Sequence, residues 1–147
     1  MVEYKWVSGK KDEELSDAFM IRRVVFVEEQ AVPVEEEIIP WEEEISEHLT
    51  LYHGGVPVAV GRLLLHNNKF ILGRIAVLKQ YRGQGFGRLV TTALMDKGLS
   101  MGAAELELSS QTHALGLYEK LGFVAYGDQY MDAGIPHFSM KLIIDNY

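Results

Sequence analysis

The chain's 147 residues, 48% hydrophobic and 10% aromatic, match one domain with a full core, so a single domain over 1-147 is expected. Net charge is −7, and nine of the 21 acidic residues fall between positions 28 and 47, where no Lys or Arg occurs, a balance that excludes nucleic acid as a partner. The absence of cysteine removes disulfide frameworks, thiolate metal sites and cysteine nucleophiles, and fits a reducing compartment.

The first ten residues carry Glu3, Lys5 and Lys10 among apolar ones, unlike a signal peptide. No stretch approaches the ~20 apolar residues that span a bilayer, so a soluble cytoplasmic protein with no membrane partner is expected. Residues 3–7 read as a strand. A helix follows, with Asp12 as its cap and Leu15, Phe19, Val24 and Val25 near helical spacing. Residues 26–44, with Pro33, Pro40 and clustered Glu, read as a loop with at most a short helix. Its charge has two compatible readings: a solvated acidic face, or a field that draws a cationic amine.

Residues 49–52, 56–65 and 70–77 read as three antiparallel strands joined at Gly54-Gly55 and Asn67-Asn68, residues that supply the positive φ of tight hairpins. After a glycine cluster, Leu89, Val90, Ala93 and Leu94 share one face of a helix ending near Gly98. A buried strand over 105–108, a helix over 112–121 stopped by Gly122, and strands over 123–126 and 137–144 complete a mixed α/β sheet.

The segment richest in chemistry is 73–88, Gly-Arg-Ile-Ala-Val-Leu-Lys-Gln-Tyr-Arg-Gly-Gln-Gly-Phe-Gly-Arg. A strand runs through three alternating glycines directly into a helix. Gly83, Gly85 and Gly87 let the backbone approach a ligand, and the unpaired N–H groups that open the helix converge on one spot. With the helix dipole, Arg82 and Arg88, that spot suits an anion such as a pyrophosphate. A P-loop would need Gly-Lys-Ser/Thr, which does not occur, and a dinucleotide fingerprint would place its third glycine at Arg88. A plain turn opening a helix would leave the glycines and arginines without a reason.

Arg82-Gly-Gln-Gly-Phe-Gly87, preceded by Ile75-Ala-Val, resembles the Arg/Gln-x-x-Gly-x-Gly/Ala segment of the GNAT acetyltransferases. Residues 114–123, Ala-Leu-Gly-Leu-Tyr-Glu-Lys-Leu-Gly-Phe, resemble that family's second signature at the expected distance, and the strand order is most similar to small bacterial ElaA-like members. The resemblance implies the acyl-CoA N-acyltransferase fold: a central, mostly antiparallel sheet splayed at the cofactor cleft and flanked by helices. It implies acetyl-CoA as co-substrate, and acetyl transfer to a primary amine by direct attack through a tetrahedral intermediate. The backbones of Ile75, Ala76 and Val77 would pair with the pantetheine arm, and Arg82 with the amides of Gly83, Gln84, Gly85, Phe86, Gly87 and Arg88 would hold the pyrophosphate. The Val77 amide would stabilise the oxyanion.

Tyr118 stands where many family members protonate the departing thiolate; its other reading is a core aromatic beside Leu115 and Leu121. Gln111 replaces an asparagine that contacts the pantetheine arm, and is otherwise a surface residue. Where some family members carry a glutamate base, residues 70–73 hold no carboxylate, so the resemblance leaves Glu29, His48 and His137, in regions that flank the cleft in such a fold, or a water chain. If the Asn67-Asn68 turn sets a regular register, Arg62 lies opposite Gly73 and Arg74 opposite Gly61, on opposite faces. At most one of them would then line the substrate pocket, where pairing with a glutamate is the expectation and binding a carboxylate or phosphate of the acceptor the alternative. His53, His66 and His113 receive no role, and no metal is expected.

The acceptor is a small-molecule or peptide amine, with polyamines, aminoglycosides and amino sugars all open. A two-fold homodimer is the default assembly. Rival readings are a non-catalytic acyl-CoA-binding sensor or interaction module, and a nucleotide-binding α/β domain.

Overall fold

The computed structural model describes residues 1–144. Seven strands, β1 (Val2–Ser8), β2 (Ser46–His53), β3 (Val56–His66), β4 (Lys69–Val77), β5 (Glu105–Gln111), β6 (Val124–Asp132) and β7 (Ile135–Ile143), form one sheet in the order β1-β2-β3-β4-β5-β7-β6. Every neighbouring pair is antiparallel except β4 with β5, which run parallel. The helices are α1 (Ser16–Arg22), α2 (Val34–Glu37), α3 (Pro40–Glu44), α4 (Phe86–Ser100) and α5 (Leu115–Lys120). This is the mixed α/β, mostly antiparallel architecture the sequence implied.

Both hairpins form where expected, with φ of 60° and 80° at Gly54 and Gly55 and 51° and 62° at Asn67 and Asn68. A third joins β6 to β7 through Ala133-Gly134, with φ of 51° and 75°. It was not legible because alanine carries no turn signal, and because every residue of β6 is exposed, so no apolar alternation marks that strand.

Alternating residues of the strands feed two cores. On one face α4 buries Phe86, Val90, Thr91, Leu94 and Gly98, at helical spacing, against Leu49, Leu51, Leu63, Leu72 and Leu106. Leu89, expected on that face, is exposed. On the other face Leu15, Ala18, Ile21 and Val25 pack on Val7, Val60, Ala76 and Leu78.

The first helix departs from expectation at both ends. Asp12 opens a 3-10 turn (Asp12–Glu14) instead of capping, and α1 starts at Ser16 with no side-chain cap. Beyond Arg22 the helix widens into π-type turns over Arg23–Glu29, and the Gln30 N–H donates to the Val25 carbonyl. The stretch 26–44, read as loop, therefore holds the π turn, α2 and α3. These short helices are fixed by arginines distant in sequence, which local patterning does not reveal.

Candidate active site

Strands β4 and β5 pair only between Phe70–Leu72 and Leu106–Leu108; beyond that they diverge. The cause lies in β4. Val60 pairs with Ala76 and Arg62 with Gly73, so Arg74 and Ile75 both face Gly61, and Arg74 sits at φ 49°. Such a bulge bends its strand and re-aims side chains. The gap is a cleft of about 690 Å³, walled by 71–77 on one side, 108–111 and α5 on the other, and by Val25, Phe26, Glu29 and Gln30 of the π turn. The Leu78 N–H donates to the Val58 carbonyl, so Val77, one residue earlier, turns its own N–H and C=O away from β3 and toward the gap.

At one end of the gap lies the N-terminus of the 15-residue helix α4. Gly83 and Gly85 adopt φ of 80° and 85°, which side-chain-bearing residues rarely reach, and a Cβ on either would meet nothing within 4 Å. Their need is therefore conformational rather than steric. Gly83, Gln84, Gly85 and Arg88 are exposed, while Gly87 and Arg82 line the cleft. Phe86 turns its ring into the core against His53 at 5.3 Å, so it offers the cleft only its amide. Ile75, Ala76 and Val77 line the opposite wall.

Arg82 and Glu29, assigned separate roles from sequence, meet in a two-pronged ion pair at 2.7 and 2.8 Å, while the Arg82 Nε donates to the Val77 carbonyl. The hydrogen bonds from Arg82 hold the Glu29 carboxyl below its usual range, which weakens it as a base. His48 is displaced from the candidate set outright. It is 2% exposed, does not line the cleft, and its Nε2 must donate to the Glu43 carbonyl, while burial lowers its proton affinity.

Tyr118 and His137 both line the cleft. Tyr118 is 8% exposed, set edge-on to Phe123, and burial pushes its hydroxyl up to about 12, so it stays protonated across neutral pH. The His137 Nδ1 lies 2.7 Å from the Ile135 carbonyl, an acceptor only, which fixes the proton on Nδ1 and leaves Nε2 with a free lone pair. No protein group among the described residues bonds Nε2, and none of their buried polar atoms lacks a partner, so Nε2 opens onto the cleft. Gln111 reaches across to Gln30, its Nε2 donating to the Gln30 Oε1 at 2.9 Å.

Beneath the cleft lies a charged cluster. Arg22, 1% exposed, donates from Nε to Glu37 at 2.6 Å and from both terminal nitrogens to Glu43 at 2.8 Å. Arg62 bonds Glu43 and Glu42, both at 2.8 Å. Burial alone would raise the Glu43 carboxyl; Arg22 and Arg62 outweigh it and hold it at about 2. The acidic run is thus not simply a solvated face, since Glu37 and Glu43 turn inward as counter-ions. Arg62 pairs with glutamates and Arg74 lies 3.6 Å from Glu37, but the bulge puts the two on one face, not opposite faces, so both line the cleft where at most one was expected. Sequence reasoning passed over Gln30 and Asp132, which also line it and which no motif marks.

Among the described residues no group of three or more His, Cys, Asp or Glu is placed to hold a metal, and no helix is long and apolar enough to cross a membrane.

Residues 13–144 match the family model described as the acetyltransferase (GNAT) domain. The chain is 42% identical over 137 residues to the uncharacterized N-acetyltransferase YjcF of Bacillus subtilis, covering 92% of this chain and 97% of that protein. Among solved structures it is similar to an acyl-CoA N-acyltransferase from Pseudomonas aeruginosa, with a TM-score of 0.85 at 25% identity over 97% of this chain and 99% of the other. It also shares its fold with Escherichia coli ElaA, with a TM-score of 0.82 at 21% identity over 97% and 99%. A motif-bearing cleft between splayed strands and a match spanning nearly the whole sequence lead to one conclusion: the chain belongs to the GNAT acetyltransferase family.

Proposed function

We propose that this protein, acting as one domain, transfers the acetyl group of acetyl-CoA to a primary amine by direct attack. The observation that carries the reading is convergence: the Val77 edge of β4, the N-terminus of α4 and the Tyr118 side chain border one cleft. The pantetheine arm runs along Ile75, Ala76 and Val77 as an added strand, meeting the cleft-facing N–H of Val77, whose carbonyl Arg82 already bonds. The amides of Gly83, Gln84, Gly85, Phe86, Gly87 and Arg88 receive the pyrophosphate at the positive end of α4. Arg82 exchanges Glu29 for phosphate oxygens, and Gln111 contacts the arm.

The acceptor ammonium loses one proton to solvent, and the neutral amine attacks the thioester carbonyl carbon; the His137 Nε2 then takes the second proton from the nitrogen of the tetrahedral intermediate. The Val77 N–H stabilises the oxyanion. As the tetrahedral intermediate collapses, the C–S bond breaks and Tyr118 gives its hydroxyl proton to the coenzyme A thiolate. The proton held on His137 returns the pair to its starting state through solvent. The products are an N-acetyl amine and free coenzyme A thiol.

Calorimetric titration of the wild type and an Arg82→Glu, Gly85→Glu double variant with acetyl-CoA tests the reading. Binding by the wild type that weakens at least about tenfold in the variant is expected, because added charge opposes the helix dipole. A wild type that fails to bind would overturn it.

A further inference from the structure

Where the cleft passes between the π turn and the β6-β7 hairpin it opens into a small side chamber of about 80 Å³. Phe26, Val32 and Ile135 give it apolar walls, and Arg74, Asp132 and His137 face it with polar groups. His137 is itself 8% exposed, with Nε2 unpartnered among the described residues.

Arg74 is the unusual member. It holds φ 49°, a left-handed conformation costly for a residue with a Cβ, and the bulge this creates swings its guanidinium into the chamber. Its charge is poorly compensated there. Glu37 lies 3.6 Å from its Nε but only 2.6 Å from the Arg22 Nε, and the other bonds of Arg74 go to the neutral carbonyls of Glu36 and Glu37. Burial, then the nearby Arg62 and Arg22, lower its proton affinity, as expected of a cation short of counter-charge. Its Nη1 has no partner among the described residues. Asp132 and Glu36, both exposed, also line the chamber, and their carboxylates form no ion pair among the described residues.

One chamber therefore offers a cationic edge, unpaired carboxylates and a free imidazole lone pair. We propose that it selects a zwitterionic acceptor, a small amino acid whose carboxylate lies on Arg74 and whose amine lies between Asp132 and His137. This rests on the acetyltransferase reading and names its substrate class. A planar carboxylate fits the guanidinium edge. Polyamines and aminoglycosides would set a second ammonium against Arg74, and a phosphate dianion would meet Asp132 and Glu36. The transfer is the one already written: the α-amine forms the new C–N bond, the thioester C–S bond breaks, and an N-acetyl amino acid and coenzyme A thiol leave.

The test is thiol release from acetyl-CoA with each of the twenty amino acids, and with the amide and decarboxylated amine of each active one, for example L-valine, L-valinamide and isobutylamine. At least one free acid should exceed its amide and amine by roughly a hundredfold in kcat/KM, since a half-buried cation short of counter-charge penalises the analogue lacking the carboxylate. Arg74→Gln should shrink that preference about tenfold or more. The comparison on the unaltered protein decides the matter even if the variant does not fold. Amines or amides used as well as the acids would overturn the proposal, as would an enzyme that binds acetyl-CoA yet releases thiol with no amino acid. Failure to bind acetyl-CoA is a separate result, which removes the acetyltransferase reading and this inference with it.

Discussion

The hydroxyl of Tyr118 and the guanidinium of Arg82 show how the surroundings of a side chain set what it can do. Tyr118 is enclosed by Phe123 and the core, so its proton is held to about 12, yet the residue still borders the cleft. Burial thus makes the hydroxyl a weaker acid than a free tyrosine and keeps its proton in place. Replacing Tyr118 by Phe keeps the packing and removes the proton; kcat should fall by roughly 10²–10⁴-fold while acetyl-CoA affinity stays nearly constant. Calorimetry beside thiol-release kinetics checks this, and unchanged turnover would return Tyr118 to the role of a core aromatic. Arg82 meets Glu29 with both side chains more than a third exposed, at 40% and 36%. Such pairs contribute only about 0–1 kcal/mol, so Arg82 can exchange Glu29 for another anion at little cost.

Among the elements, β4 and α4 set the geometry of the cleft, and close contacts at Gly61 and Gly98 hold α4 against the sheet. Gly61 of β3, facing the bulge, touches α4 so closely that a Cβ there would fall 2.6 Å from the Val90 Cγ1 and 2.7 Å from the Leu94 Cδ1. Gly61→Val must push α4 outward or strain both side chains, a loss of about 1–3 kcal/mol. The urea midpoint should fall accordingly, and acetyl-CoA binding should weaken as the N-terminus of α4 leaves the cleft. A midpoint equal to the wild type's would show that α4 is not held at this contact. The π turn acts similarly on the facing wall, since its widened register presents Val25, Phe26, Glu29 and Gln30 together.

For the whole molecule, the buried arginine–glutamate cluster joins α1, α2, α3, β3 and β4, so its titration is a property of global stability. Glu43 falls from an ordinary 4.5 to about 2 in the folded protein. A depressed carboxyl stabilises the fold above the unfolded value and loses that contribution as pH drops through the folded one, here between about 4.5 and 2. The contribution is on the order of 3 kcal/mol. Glu43→Gln should cost about 3–5 kcal/mol at pH 7, because Arg22 and Arg62 lose a buried counter-ion. Its stability should then decline less steeply than the wild type's between pH 4.5 and 3. Urea unfolding at both pH values measures the difference, and equal slopes would mean that Glu43 is not the titrating group.

The sequence by itself determined the β2-β3 and β3-β4 hairpins, the glycine loop opening α4, and the family. These are properties of neighbours in the chain: positive φ is demanded by Gly54, Gly55, Asn67 and Asn68 where they stand, and the convergent amides follow from residues 82–88 alone. Tertiary structure alone decided which charges are free. Arg82 meets Glu29 across 53 positions, Arg22 meets Glu43 across 21, and His48 is drawn to the Glu43 carbonyl and out of the cleft. Only the bulge, an extra residue counted against β3, turns Arg74 to the same face as Arg62. Ion pairing and strand register depend on distances through space between segments far apart in sequence, and local pattern carries no record of them.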